Sequence, residues 1–213
     1  MIAKTTPNTI SIGTQIHNSN IMDAKTYLKE NFGNKYDIDP HFNFIIMAMP
    51  EYRLKDLETC LDKFFTTKEI MNLQFGDLHF EEKQRFFSIP IINSEIMDFH
   101  KQLIDILNPL RDDYIREKDL IRTNEGRTDS LEKEYIYKYG YLRVLSKFIP
   151  HITIGNIKNE EFDFKEVKTQ LDKILGNLYN SSLKINEVYA TFIEDADVQS
   201  DYKWLWEKTY KLN

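Results

Sequence analysis

Two histidines in this chain are placed to pass protons to and from a substrate held between them. Pro40-His41-Phe42-Asn43-Phe44-Ile45 and Pro150-His151-Ile152-Thr153-Ile154-Gly155 lie 110 residues apart, and each sets a histidine two positions before a small hydrogen-bonding residue. An imidazole with an ordinary pKa of about 6.5 takes or gives a proton near neutrality, so a pair supplies both the base and the acid that phosphodiester cleavage needs. Asn43 and Thr153 would donate hydrogen bonds to the non-bridging oxygens as charge develops on phosphorus. Gly155 would keep the wall low beside the second motif.

A lone histidine on a strand is ordinarily just a polar sheet residue. What sets His41 and His151 apart is that their surroundings repeat. Leu54-Lys55-Asp56-Leu57-Glu58-Thr59-Cys60-Leu61-Asp62-Lys63-Phe64-Phe65 aligns without a gap on Phe164-Lys165-Glu166-Val167-Lys168-Thr169-Gln170-Leu171-Asp172-Lys173-Ile174-Leu175. Leu73, Phe75, Asp77 and Leu78 fall on Leu183, Ile185, Glu187 and Val188 at the same offset. Such self-similarity marks a duplicated structural unit. The remaining histidines lack this pattern: His79 aligns with Tyr189 and reads as a sheet position, His100 lies near the apolar stripe of its helix, and His17 has no counterpart.

Elements that must carry the motifs follow from apolar spacing. Thr9 to Ile16 reads as a strand, Ala24 to Phe32 as a helix stopped by Gly33, and His41 to Met47 as a strand that Pro40 opens. Residues 54–65 and 164–175 share the steps of one helical face; Asp163 with Glu166 resembles a capping box and Gly176 is placed to end the second helix. Leu73 to Phe80 and Gln84 to Ile91 read as a hairpin turned at Glu81, Glu82 and Lys83. Leu183 to Ile193 and Trp204 to Leu212 read as its counterpart, joined by an acidic loop. Between the copies lies a helix over Ser94 to Leu107. The sum is an α+β fold: one bilobal domain over 1–213, with copies at about 40–91 and 150–212, largely antiparallel sheets facing a central cleft, and helices outside.

Strand alternation puts His41, Asn43, Ile45 and Met47 on one face and Phe42, Phe44 and Ile46 on the other; His151, Thr153 and Gly155 likewise oppose Ile152 and Ile154. Helices covering the Phe and Ile faces leave both histidines to one cleft. The charged segment Arg111 to Lys138, with Arg122, Gly126 and Arg127, breaks the symmetry. It reads either as a solvated helical excursion or mobile loop, or as a lid or substrate arm beside the site.

Composition narrows the partners. With 213 residues, 41% of them hydrophobic, the chain can fill a core. A formal charge of −6 and a pI near 5.5 disfavour a long grip on duplex DNA and suit a small phosphorylated ligand or a polynucleotide end. The lone Cys60, on the apolar side of its helix, reads as a buried small residue in a reducing, cytoplasmic setting. Met1 to Ile16 lacks the pattern of a signal peptide, and no apolar run is long enough to span a membrane.

Together these residues resemble the two-histidine phosphoesterase superfamily, which includes the RNA 2′,3′-cyclic phosphodiesterases called 2′-5′ RNA ligases. Its signature, His-x-Thr/Ser-x-apolar twice, is matched by His151-Ile152-Thr153-Ile154-Gly155, and by His41-Phe42-Asn43-Phe44-Ile45 except that Asn43 replaces the hydroxyl residue. The resemblance implies His41 and His151 as the acid/base pair, Thr153 and Asn43 as phosphate ligands, no metal or other cofactor, and a nucleotide or short RNA as substrate. The activity implied is metal-independent cleavage of a 2′,3′-cyclic phosphate or a 2′-5′ linkage; Asn43 leaves open a catalytically weakened module that binds nucleotides or RNA ends. Tyr139-Gly140-Tyr141-Leu142-Arg143-Val144 also resembles a branch linked to phosphonate metabolism. That nominates Tyr141 and Arg143 as contacts to base or phosphate, although strand packing and a surface charge explain them equally well.

Overall fold

A computed structural model describes residues 3–33, 38–82, 85–157, 162–195 and 203–213. In chain order the elements are β1 (Thr5–Thr6), β2 (Asn8–Gln15), α1 (Ser19–Phe32), β3 (His41–Ala48), α2 (Leu54–Phe65), β4 (Met71–Gln74), β5 (His79–Glu81), β6 (Phe86–Pro90) and α3 (Glu95–Leu107). The insertion then contributes β7 (Ile115–Arg116), α4 (Glu117–Asn124) and α5 (Ser130–Tyr139). The chain closes with β8 (His151–Asn156), α6 (Phe164–Leu175), β9 (Ser182–Ile185), β10 (Glu187–Glu194) and β11 (Lys203–Lys211). None of the described helices is long and apolar enough to cross a membrane.

Helices α2 and α6 form where the periodicity places them. Leu57, Leu61 and Phe65 are buried on one, and the equivalent Val167, Leu171 and Leu175 on the other. Gly33 ends α1 in the left-handed region at φ 63°, returning its amide to the Lys29 carbonyl. One end differs from the sequence reading. Helix α1 starts five residues before Ala24, because the Asn18 side chain accepts from the Ile21 amide and opens an earlier first turn. Gly176 does end α6, but in a right-handed conformation. Asp163 accepts from the Lys165 and Glu166 amides, whereas the reciprocal capping box is made by Asp129 and Glu132 at the start of α5.

The sheets are exchanged between the copies. Strand order β11-β10-β2-β3 makes one antiparallel sheet, and β5-β6-β8 another. The His41 strand therefore shares a sheet with the hairpin of the second copy, and the His151 strand pairs with the hairpin of the first. The sequence reading groups the hairpins by copy and leaves their sheet partners open. Its run Leu73 to Phe80 is in fact two strands, because the chain turns at Gly76, whose amide donates to the Pro90 carbonyl. Strand β4 leaves the hairpin to pair antiparallel with β9, tying the copies together a second time. The hairpin turn at residues 83–84 and the acidic loop at 196–202 lie outside the described residues.

The insertion is helical and pinned. Arg111, only 1% exposed, donates from Nε to Asn108 Oδ1, from Nη1 to the Tyr114 carbonyl and from Nη2 to the Tyr137 and Lys138 carbonyls, so it gathers the end of α5 against the start of the segment. Strand β7 pairs in parallel with β1, which runs directly into the His41 sheet. The segment is thus a helical excursion, but its Arg111, Arg116 and Asp119 are buried.

Candidate active site

Each histidine begins an edge strand of its sheet, and the two strands, β3 and β8, pack against each other where the sheets meet. The rings are held identically. His41 Nδ1 lies 2.9 Å from the Asp39 carbonyl and His151 Nδ1 lies 2.7 Å from the Ile149 carbonyl. A carbonyl oxygen only accepts, so each Nδ1 carries the proton and each Nε2 is left to exchange one with a ligand. The intervening prolines are anchored alike: the Ile16 amide donates to the Pro40 carbonyl and the Ile91 amide to the Pro150 carbonyl.

Both histidine strands carry a β-bulge at the same place. Ile12 pairs with Ile45 and Gly13 with Asn43, leaving Phe44 as the extra residue. Phe87 pairs with Gly155 and Ser88 with Thr153, leaving Ile154 as the extra residue. A bulge resets the alternation of faces. Phe44 and Ile45 are therefore both buried, as are Ile154 and Gly155, and Ile46 rather than Ile45 or Met47 joins His41 and Asn43 on the open face. Gly155 does not share the His151 face as strict alternation had it. Periodicity alone could not reveal this, since a bulge is a mismatch between two strands and leaves no mark on one.

Over the β11-β10-β2-β3 sheet opens a cavity of about 400 Å³. His41, Asn43, Ser11, Gly13, Gln15, Tyr189 and Thr191 form its floor, Trp204 stands at one side, and the insertion adds Arg116 and Lys118. His151 is not among its walls; it stands across the β3–β8 junction on the second sheet. Ser11 Oγ donates to Asn43 Oδ1 at 3.1 Å, so the amide hydrogens are what Asn43 can offer a ligand. Gly13 permits this arrangement by close approach: a Cβ there would come within 2.5 Å of the Phe42 carbonyl and 2.7 Å of Asn43 Oδ1.

The electrostatics around His151 favour an anion. Burial lowers its pKa from 6.5, the hydrogen bond to Ile149 opposes this, and the charges of Arg143, His41 and His79 lower it further. Positive charge on these neighbours bears on one ring, and a bound anion would offset it. His79 is a sheet position equivalent to Tyr189, as the repeat predicts: the row Thr153–Ser88–His79 crosses one sheet as Asn43–Gly13–Tyr189 crosses the other. His79 accordingly faces the cleft on the His151 side as Tyr189 does on the His41 side.

Of the two residues nominated before the second motif, Arg143 is exposed, and its charge acts on both His151 and Asp119. Tyr141 is half-buried behind the cavity wall, its ring 4.9 Å from the Arg116 guanidinium. Arg116 also reaches Asp119 at 3.5 Å and Asp195 at 3.3 Å, while Lys118 meets Asp195 at 2.8 Å. Desolvation raises the pKa of the fully buried Asp119, against the pull of Arg116 and Arg122. Cys60 is half-buried, and burial raises its thiol pKa.

A duplicated fold of exchanged antiparallel sheets, with a histidine heading an edge strand of each, is the fold of the two-histidine phosphoesterases. TT0787 of Thermus thermophilus matches with a TM-score of 0.57 at 10% identity, over 96% of this chain and 98% of that one. E. coli LigT in apo form matches with a TM-score of 0.52 at 10% identity, over 96% and 98%, and a complex of LigT with NADP+ superposes with a TM-score of 0.52 at 11% identity, over 96% and 98%. Kluyveromyces marxianus Usb1 matches with a TM-score of 0.51 at 12% identity, over 98% and 99%. By sequence, the chain belongs to the family described as "Protein of unknown function (DUF1045)", whose model matches residues 46–200. No curated protein matches it by sequence.

Proposed function

We propose that the protein is a metal-independent phosphodiesterase that cleaves a 2′,3′-cyclic phosphate or a 2′-5′ linkage in a nucleotide or short RNA. The observation that carries this reading is the identical tethering of His41 and His151, each with Nδ1 on a carbonyl two residues back and Nε2 left for chemistry. With a cyclic phosphate, His151, which burial favours in the neutral form, takes a proton from water at Nε2 as the oxygen attacks phosphorus. His41, protonated at Nε2, gives its proton to the ribose oxygen as the P–O bond breaks, and a phosphomonoester leaves. The Asn43 amide and the Thr153 hydroxyl donate to the non-bridging oxygens, and Arg143 and His79 add to the positive field.

The cavity beside His41 suits the nucleoside, with Trp204 available for stacking and Ser11 and Thr191 as hydroxyl partners. Tyr141 supports Arg116 from behind. LigT bound to NADP+ gives a precedent for a nucleotide on this fold. Incubation of the purified protein with 2′,3′-cyclic AMP and with 2′-5′ oligoadenylate, in the presence of a chelator, tests the reading. A phosphomonoester or shortened oligomer is expected, and no product from any such diester would overturn it.

A further inference from the structure

His100 on α3 lies outside the cleft, is 1% exposed, and has no part in proton transfer as described above. Burying an imidazole among Phe and Leu side chains costs free energy unless both nitrogens find partners. Here both do. Nδ1 donates to the Phe44 carbonyl at 2.6 Å, and Nε2 accepts from the Leu145 amide at 3.0 Å. The ring also stacks on Phe148, with centroids 3.9 Å apart and planes 12° from parallel.

The identity of these partners gives the contacts their meaning. Phe44 is the extra residue of the bulge three positions after His41, and a bulge leaves its residue out of the ladder pairing. Leu145 opens a short turn of positive φ, 49°, in the segment that leads to His151, and Phe148 lies three residues before that histidine. Phe148 also approaches Phe42, the neighbour of His41, at 6.4 Å. One ring therefore grips both chain stretches that carry the paired histidines, and it does so at the position where the first strand is re-aimed.

We infer that His100 is a positioning residue: its two hydrogen bonds fix the bulge of the first histidine strand against the approach to the second, and so set the distance between the His41 and His151 rings. The inference rests on the proposed phosphodiesterase reading for its catalytic consequence but not for its geometric one. The experiment compares H100F, which keeps the stacking and removes both hydrogen bonds; H100Q, which restores one donor and one acceptor; and F148L, which removes the stacking and keeps the hydrogen bonds. H100M takes the place of H100F if the latter does not fold.

Ring ¹⁵N signals of His41 and His151, recorded without ligand, should move in H100F, return toward the parent in H100Q and stay in place in F148L. Turnover of 2′,3′-cyclic AMP should fall about 10- to 100-fold in kcat at near-parental KM in H100F, recover in H100Q, and hold in F148L despite a lowered Tm. Unmoved ring signals in a folded H100F, or signals and kcat that follow Tm alike in H100F and F148L, would overturn the inference. A parent protein inactive on every diester would instead remove the proposed function, and the ring signals would still decide the role of His100.

Discussion

Asn43 is where this site departs from the hydroxyl residue expected in its motif, and its surroundings give the substitution a role. Ser11 occupies the amide oxygen, so on the proposed reading the nitrogen would donate to the phosphate, as a hydroxyl would do at this position. Replacing Asn43 by Thr should keep turnover within about tenfold of the parent, whereas Asn43→Asp sets a carboxylate against the phosphate and should cost about 10²-fold or more, both read from steady-state kinetics. The depressed pKa of His151 has a kinetic counterpart. If His151 is the base, the acid limb of the kcat/KM profile falls below the ordinary histidine value of 6.5; a limb at or above it would assign the base elsewhere. The histidines, Asn43 and Thr153 were legible in the sequence because duplication printed them twice. Arg116, Lys118, Gly13 and Ser11 were not, since each reaches the cavity through a pairing that no local pattern records.

Among the elements, the long helices were the most legible. Their faces bury Leu57, Leu61, Phe65 and the equivalents in α6, and a 3.6-residue period states such a face outright. Strand partners were not legible, because alternation says that a strand has two faces but not which strand lies beside it. That is why the exchange of hairpins between the copies and the bulges at Phe44 and Ile154 went unseen. Strands β2 and β3 approach closely at Gly13, which gives a direct test. Gly13→Ala would drive a Cβ into the Phe42 carbonyl and Asn43 Oδ1, and should destabilise the fold by about 1–3 kcal/mol while raising KM. Thermal unfolding and kinetics on the same sample would check both, and an unchanged Tm would show that the two strands are not held as described.

For the molecule as a whole, exchanged hairpins mean that neither copy completes a sheet alone, so the site exists only when both copies fold together. Its stability should also respond to acid. Burial lowers the His100 pKa from 6.5 to about 4 despite the hydrogen bond to Phe44. The unfolded chain therefore takes up this proton first as pH falls. Stability from this group is fully present above 6.5, declines through the interval, and is lost by pH 4, a change of about 3 kcal/mol. The lowered pKa of His151 acts in the same direction. Urea unfolding midpoints should fall from pH 7 to pH 4 in the parent and fall less in H100Q; equal slopes would place the acid sensitivity in other groups.

The central claim is that His41 and His151 act as one proton-transfer unit on a single phosphate. Single-turnover cleavage of 2′,3′-cyclic AMP by the parent, H41A, H151A and the double variant tests it most directly. Each single variant should lose about 10²- to 10⁴-fold, with the double variant little worse than the weaker single one, because a unit already missing one member has little left to lose. Losses that multiply in the double variant, or either single variant turning over at the parental rate, would contradict it.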